Sequence, residues 1–156
     1  MKRFLVLILA LCLLILAGCG QDVRDKVFSR SGFSITLPQN AKDTSFSDEA
    51  IEIPYLFMAD DVIITAMEIN KADFPDLSLA EFGELLISAN GFDAALEQKD
   101  GLFTYTYHDE GDTMVNIVLE TDARFWFVSA TCDEKDYAKL KPTMWKYLQS
   151  VTVCDD

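Results

Sequence analysis

The sequence predicts an α+β domain: a mostly antiparallel sheet of about seven strands covered by two or more helices. Three observations carry that expectation. Short runs of alternating apolar and polar residues recur between turn-forming pairs. Two segments switch to the helical period and carry one apolar stripe each. After the first eighteen residues the chain still holds ten Phe, five Tyr and two Trp, enough for a core without metal or disulfide staples.

The elements follow in chain order. Phe33, Ile35 and Leu37 alternate with Ser34 and Thr36 and stop at Pro38, which reads as a strand. Ala50 to Ala59 and Val62 to Ile69 are β-rich runs joined by Asp60-Asp61, a hairpin, with Pro54 making the first an edge or bulged strand. Ser78 followed by Glu81 is a capping box, so a helix starts there. Its stripe is Leu79, Phe82, Leu85, Leu86 and Ala89, expected to face the core, and Asn90-Gly91 ends it. Asp93 to Gln98 and Leu102 to His108 flank Lys99-Asp100-Gly101, a second hairpin signal because Gly tolerates positive φ. Thr113 to Thr121 and Arg124 to Cys132 continue the meander. In the last of these, Phe125 and Phe127 oppose Trp126 and Val128, so the strand is expected to be central and covered on both faces. Tyr137, Leu140, Met144, Trp145 and Leu148 form a second helical stripe, which Pro142 must kink or start.

The N-terminus has a different character. Lys2 and Arg3 precede an apolar run from Phe4 to Ala17, and Leu16-Ala17-Gly18-Cys19 closes it. This resembles a bacterial lipoprotein signal peptide. The resemblance implies cleavage before Cys19 and acylation of that cysteine with a diacylglyceryl group and a fatty acid such as palmitate. Small side chains at Ala17 and Gly18 suit a narrow protease cleft, and the thiol carries the lipid. The run from Phe4 to Gly18 is shorter than the ~20 residues that usually span a bilayer. The expected organisation is therefore residues 1–18 as signal, 19–31 as a lipidated, polar tether, and 32–156 as a single domain. A tether of that length reaches at most ~40 Å.

Charge narrows the function classes. The chain of 156 residues has 13 basic and 26 acidic side chains, a formal charge of −13, with hydrophobic residues at 50% and charged residues at 25%. That composition is globular and argues against a nucleic-acid partner, since phosphate affinity comes largely from Lys and Arg. Loss of residues 1–18 removes two of the basic side chains and no acid. An anionic leaflet repels such a surface, so acyl chains and not charge are expected to hold the protein at a membrane.

Gly32-Phe33-Ser34-Ile35-Thr36-Leu37-Pro38, together with the closing strand, the helix and Ser150-Val151, resembles the PsbP-like domains. That family includes the PsbP subunit of photosystem II, the Ran-binding Mog proteins and many bacterial lipoproteins. The resemblance implies a PsbP-like sandwich over most of residues 32–153 and a role in binding partners or ions without catalysis. It carries no functional residue over to a position here.

Few residues have the spacing that catalysis or metal binding requires. His108 is the single histidine, which excludes multi-histidine metal sites and weakens readings that need a histidine base. A dyad of His108 with Cys132 lacks any local motif, and an exposed histidine beside Asp109 and Glu110 explains it as well. Asp109-Glu110-Gly111-Asp112 invites a calcium test but lacks the EF-hand spacing and serves as a turn. Asp133, Glu134 and Asp136 suit a helix start. No phosphate loop, dinucleotide fingerprint or nucleophile elbow is present. Cys132 and Cys154 are a candidate disulfide pair in an oxidising compartment, although the helix between them carries the chain away; the alternative is two thiols.

The expectation is a lipid-anchored binding or accessory module on the extracytoplasmic face of a bacterial cell membrane. It would have no catalytic residue, no metal and no cofactor, its acyl chains in the membrane and an envelope protein as partner. Tyr55, Phe57 or Tyr107, at the sheet ends, are candidates for a protein-binding surface, and core packing explains them as well. The alternative is a tethered carboxylate- or metal-dependent hydrolase, which needs a concave pocket with convergent acids of perturbed pKa.

Overall fold

Alternation in Phe33–Pro38 sorts the side chains by face, and the apolar three, Phe33, Ile35 and Leu37, are buried in strand β2. In the computed structural model, which describes residues 24–44, 46–48, 51–53 and 55–155, β2 is the middle strand of a small sheet. β1 (Asp25–Arg30) pairs antiparallel on one side of it and β12 (Thr152–Val153) on the other. Cys19 with its neighbours, Ala50 and Pro54 lie outside the described residues.

β1 corrects the expected tether. Asp25–Arg30 is a strand, not a free spacer, in register from Asp25 opposite Pro38 to Arg30 opposite Phe33. Its exposed, polar pattern hides it from a hydrophobicity reading; Phe28 alone packs on the core. It is an edge strand, solvated on most of its surface.

The large sheet has seven strands, every pairing antiparallel. In spatial order these are β3 (Lys42–Asp43), β6 (Tyr55–Ala59), β7 (Val62–Asn70), β11 (Arg124–Asp133), β10 (Asp112–Glu120), β9 (Leu102–Asp109) and β8 (Glu97–Lys99). β4 (Phe46–Asp48) and β5 (Ile51–Ile53) pair with one another. The β6–β7 hairpin turns at Asp60-Asp61 as expected. Asp100-Gly101 and Glu110-Gly111 turn the next two hairpins with positive φ at both residues, the geometry whose twist matches the flanking strands. The strand expected over Asp93–Gln98 shortens to Glu97–Lys99, because residues 92–96 form the return from the helix. β11 is central, with Phe125 and Trp126 both fully buried on opposite faces.

Helix α1 (Leu79–Asn90) starts at Ser78, whose hydroxyl accepts from Glu81 N–H while the Glu81 carboxylate accepts from Ser78 N–H. Gly91 ends it in the left-handed conformation. Its buried face is Phe82, Gly83 and Ile87, flanked by Leu79 and Leu86. Leu85 and Ala89, expected to be core, are exposed. The stripe is wider than the part of the sheet beneath it. Helix α2 (Tyr137–Gln149) buries Met144, Tyr147 and Leu148 and runs on through Pro142, which starts no new segment.

Three layers result, the α+β class the sequence predicts. β2 and α2 seal the inner face of the large sheet, where Phe33 packs against Tyr55, Phe57 and Trp126. Ser150 Oγ accepts from Thr36 N–H and so ties the end of α2 to β2. α1 covers part of the outer face, with Phe82 stacked on Phe125 at 4.4 Å.

Candidate functional site

The inner-face end of the central strands gathers the groups that could do chemistry. Thr113 on β10 lies opposite His108 on β9 and opposite Cys132 on β11, so two strand spacings, ~10 Å, separate the histidine from the thiol. No proton can pass directly between them. His108 Nδ1 is instead 2.8 Å from Thr113 Oγ1, with Glu134 at 3.6 Å and the Tyr137 ring edge-on. Burial pushes the Cys132 thiol up, and Asp136, Asp112 and Asp133 add to the effect, which disfavours the thiolate a nucleophile requires.

Cys132 and Cys154 are both free thiols, one buried and one exposed, so the candidate disulfide is corrected. The reason is topological. After α2 the chain pairs with β2, and Cys154 N–H donates to Gly32 O. Asp155 then accepts from Thr121, Asp122 and Ala123 in the turn preceding β11. Cys132 sits at the other end of β11, roughly 25 Å of strand away, and a bridge needs Cα atoms within ~6.8 Å.

A shallow cavity of about 350 Å³ opens beside Cys154, lined by Arg30, Ser34, Phe33 and Thr152 among others, and no carboxylate reaches it. Ser34 and Thr152 hydroxyls hydrogen-bond each other at 2.7 Å across its wall. The carboxylates held below their usual range are elsewhere, each by a structural partner. Glu81 is held by the Ser78 hydroxyl, Asp133 by Lys135 and Asp155 by the Thr121 hydroxyl. The hydrolase alternative therefore lacks its convergent acids here. Among the described residues no group of three or more His, Cys, Asp or Glu could hold a metal ion, and Glu110-Gly111 is the β9–β10 turn.

Tyr55 and Phe57, proposed for a binding surface, are core residues of the inner face. Tyr107 is half-buried on the outer face, stacked on Phe92 at 3.9 Å. That outer face carries what sequence reasoning missed. Met58, Ile63 and Met67 are each more than 40% exposed on the strands that α1 does not cover. Next to them in the ladder Phe127 and Thr131 are half-buried, Phe127 against the cluster under α1. One row further, Asp133, Asp112 and Asp109 lie side by side on β11, β10 and β9, all exposed. Strand alternation sets them on the same outer face as Thr131, Met114 and Tyr107. The apolar strip thus ends in an acidic border. The available signal was β7 itself, apolar on both faces from Val62 to Met67.

No protein-family model matches the sequence, and no curated protein matches it. Solved structures do. The solution structure of cyanobacterial PsbP (CyanoP) from Synechocystis sp. PCC 6803 is similar with a TM-score of 0.58 and 15% identity, over 87% of this chain and 96% of that chain. The fold is PsbP-like. A crystal structure of a Bacteroides thetaiotaomicron VPI-5482 protein is similar at a TM-score of 0.49 and 19% identity, over 82% of this chain and 48% of that one. In this PsbP-like fold β2 and the β11–α2 unit, whose sequences carried the resemblance, pack together in the principal core.

Proposed function

We propose that the protein is a lipid-anchored, extracytoplasmic accessory module that binds an envelope protein and catalyses no reaction. The observation that carries the binding reading is the structural employment of its reactive groups. His108 is bound to Thr113, Cys132 is a buried thiol with its thiolate disfavoured, and the shifted carboxylates serve a helix cap, an ion pair and a turn. A PsbP-like fold supports it, since the family resemblance implies binding of partners or ions.

The Leu16-Ala17-Gly18-Cys19 motif supports the anchor. With β1 beginning at Asp25, six residues from Cys19 to Arg24 join lipid to domain, a reach of ~20 Å. The partner would then lie in or against the same membrane. Among the described residues no helix is long and apolar enough to cross a membrane.

Metabolic labelling with an alkyne palmitate, followed by in-cell cross-linking and mass spectrometry, tests both halves. Wild type should take up label and fractionate with membranes, and Cys19→Ala should do neither. One dominant cross-linked envelope protein, lost in Cys19→Ala, is the expected result. Label-free wild type would remove the anchor, and turnover of a substrate by purified protein would remove the accessory role.

A further inference from the structure

The outer face of the large sheet is half finished. α1 runs over β9, β10 and the start of β11, with Phe82 above Phe125, and just past its end Phe92 stacks on Tyr105 and Tyr107. Beside it β7 and β6 present Met67, Ile63 and Met58 to solvent, and Phe127 of β11, packed against the cluster under α1 and stacked on Tyr105, borders them. An antiparallel sheet with one wet face normally shows polar residues there. Here Met58, Ile63 and Met67, the most exposed positions on these strands, are apolar, with Thr65 between the last two and Ser129 and Thr131 beside them on β11, in a chain whose charged fraction is 25%. The same mismatch appears on the helix. Leu85 and Ala89 follow Phe82 by three and seven residues, so they share its flank, opposite the flank where Gly83 meets Leu96. Both sides of the gap between helix and open strands are therefore apolar.

The gap has the dimensions of one helix. Ile63 to Met67 covers ~13 Å along the strand, matching about nine helical residues. β11 to β6 spans ~10 Å, equal to a helix diameter and to the usual spacing between packed helices. A stable dimer needs ~800 Å² on each side, several times what this strip offers, and two copies at −13 repel each other. At one end of the strip stand Asp133 on β11 and Asp61 in the β6–β7 turn, and Asp112 and Asp109 continue the acidic row sideways over β10 and β9; Lys135 is paired with Asp133 and attracted by Asp61. That border favours Lys or Arg on the incoming segment and disfavours an anionic lipid surface.

We propose that the strip over β6, β7 and β11 docks an amphipathic helix of a partner protein, apolar along one stripe and basic where it passes the aspartate row. The helix lies beside α1 and completes the outer layer. Met58 and Met67, unbranched and polarizable, adapt to its side chains.

The proposal deepens the accessory-module reading but does not depend on the anchor. The full chain in phosphatidylcholine nanodiscs is mixed with a Leu–Lys amphipathic peptide of three helical turns. Controls are its Leu–Glu counterpart, a Leu–Lys peptide with the leucines scattered, and empty nanodiscs. Hydroxyl-radical oxidation of Met58 and Met67 is followed by mass spectrometry, with buried Met144 as internal reference. The Leu–Lys peptide should slow oxidation of Met58 and Met67 several-fold and leave Met144 unchanged, and neither control peptide should do so. Ile63→Lys, at an exposed position, should abolish the protection, and Asp133→Asn with Asp112→Asn should weaken it, each with an unchanged melting temperature. Equal protection by the Leu–Glu peptide, or protection that survives Ile63→Lys, overturns the proposal. Protection that rises with protein concentration alone assigns the strip to a second copy and overturns it as well. A partner cross-linked through another surface would remove the strip while leaving the accessory role intact, and failure of palmitate labelling would leave the footprint untouched.

Discussion

Within β11 consecutive residues meet two different environments. Trp126, Val128 and Ala130 on the inner face are completely buried, whereas on the outer face Phe127 and Thr131 are only half-buried, with Ser129 buried between them. The same contrast runs through β7, with Ile64 and Ala66 inside and Ile63 and Met67 outside. Side-chain type separates the two sets only in part, since Ser129, Thr131 and Thr65 share the outer face with Phe127, Ile63 and Met67. What differs is the cover: β2 and α2 together lie on the inner face, and α1 with the segments flanking it lies on part of the outer one. Stability is therefore concentrated on one side of the sheet, which leaves the other free to change without unfolding the domain.

The largest expected effect of that asymmetry comes from Trp126. Its ring lies 5.6 Å from Phe33 and 5.5 Å from Tyr55, in the centre of the inner core. Trp126→Ala removes that contact and leaves a cavity enclosed by rigid neighbours, which costs about 3–5 kcal/mol. Urea denaturation read by circular dichroism measures it. A loss below 1 kcal/mol would mean that the inner face is not the principal core.

Alkaline pH tests both faces at once, through one tyrosine on each. Burial pushes Tyr147, on α2 against the inner face, up to about 12, with Asp60 and Asp25 adding to the effect. Burial likewise raises Tyr105 on the outer face, where neighbouring Tyr107 adds to it. An unfolded tyrosine ionises near ~10. Above that pH the unfolded chain releases a proton that the folded chain keeps, so stability is complete below ~10 and falls between about 10 and 12. The loss assigned to Tyr147 is on the order of 2 kcal/mol at the end of that window. Denaturation midpoints across it should fall for wild type and fall less for Tyr147→Phe. Parallel slopes for the two proteins would exclude Tyr147 as a source.

A smaller effect is expected at the start of α1, which fastens the one cover the outer face has. Ser78→Ala removes the hydroxyl that accepts from Glu81 N–H, and it also releases the Glu81 carboxylate from its 2.6 Å bond to that hydroxyl. The expected cost is about 1 kcal/mol. Hydrogen exchange should localise it to the first turn of α1, with the inner-face strands unchanged. Uniformly faster exchange would mean that the two faces unfold as one unit.

These differences explain what was legible in the sequence. The Ser78–Glu81 box, the Asp100-Gly101 turn and the alternation of Phe33, Ile35 and Leu37 are local signals, each complete within a few residues, and the structure contains all of them. β1 gives no signal because an edge strand has no buried face to betray it, and β12 gives none because two residues after a helix show no period. Leu85 and Ala89 read as core, since a helical stripe records that an apolar side exists and not how much of it a neighbour covers. Tyr55 and Phe57 read equally as surface or core from their own segment, because their position depends on β2, about twenty residues earlier in the chain. The open strip was hidden by the same logic. Val62, Ile63 and Ile64 in succession look like a strand buried on both sides, whereas only one side is filled.

The smallest expected effect is the most discriminating for the outer face. Met67 and Ile63 lie on the same face of β7 and are more than 40% exposed, so truncating either removes little area from water shelter. Met67→Ala should change stability by no more than about 0.5 kcal/mol, the range of ordinary surface substitutions. Ile64→Ala, one residue from Ile63 and fully buried on the inner face, should cost about 2–5 kcal/mol. Denaturation curves of the two variants, measured side by side, read the asymmetry within a single strand. Comparable losses would show that the strip already supports the fold. A silent Met67→Ala leaves its apolar surface without a structural task in the isolated domain, which is the condition a docking surface must meet.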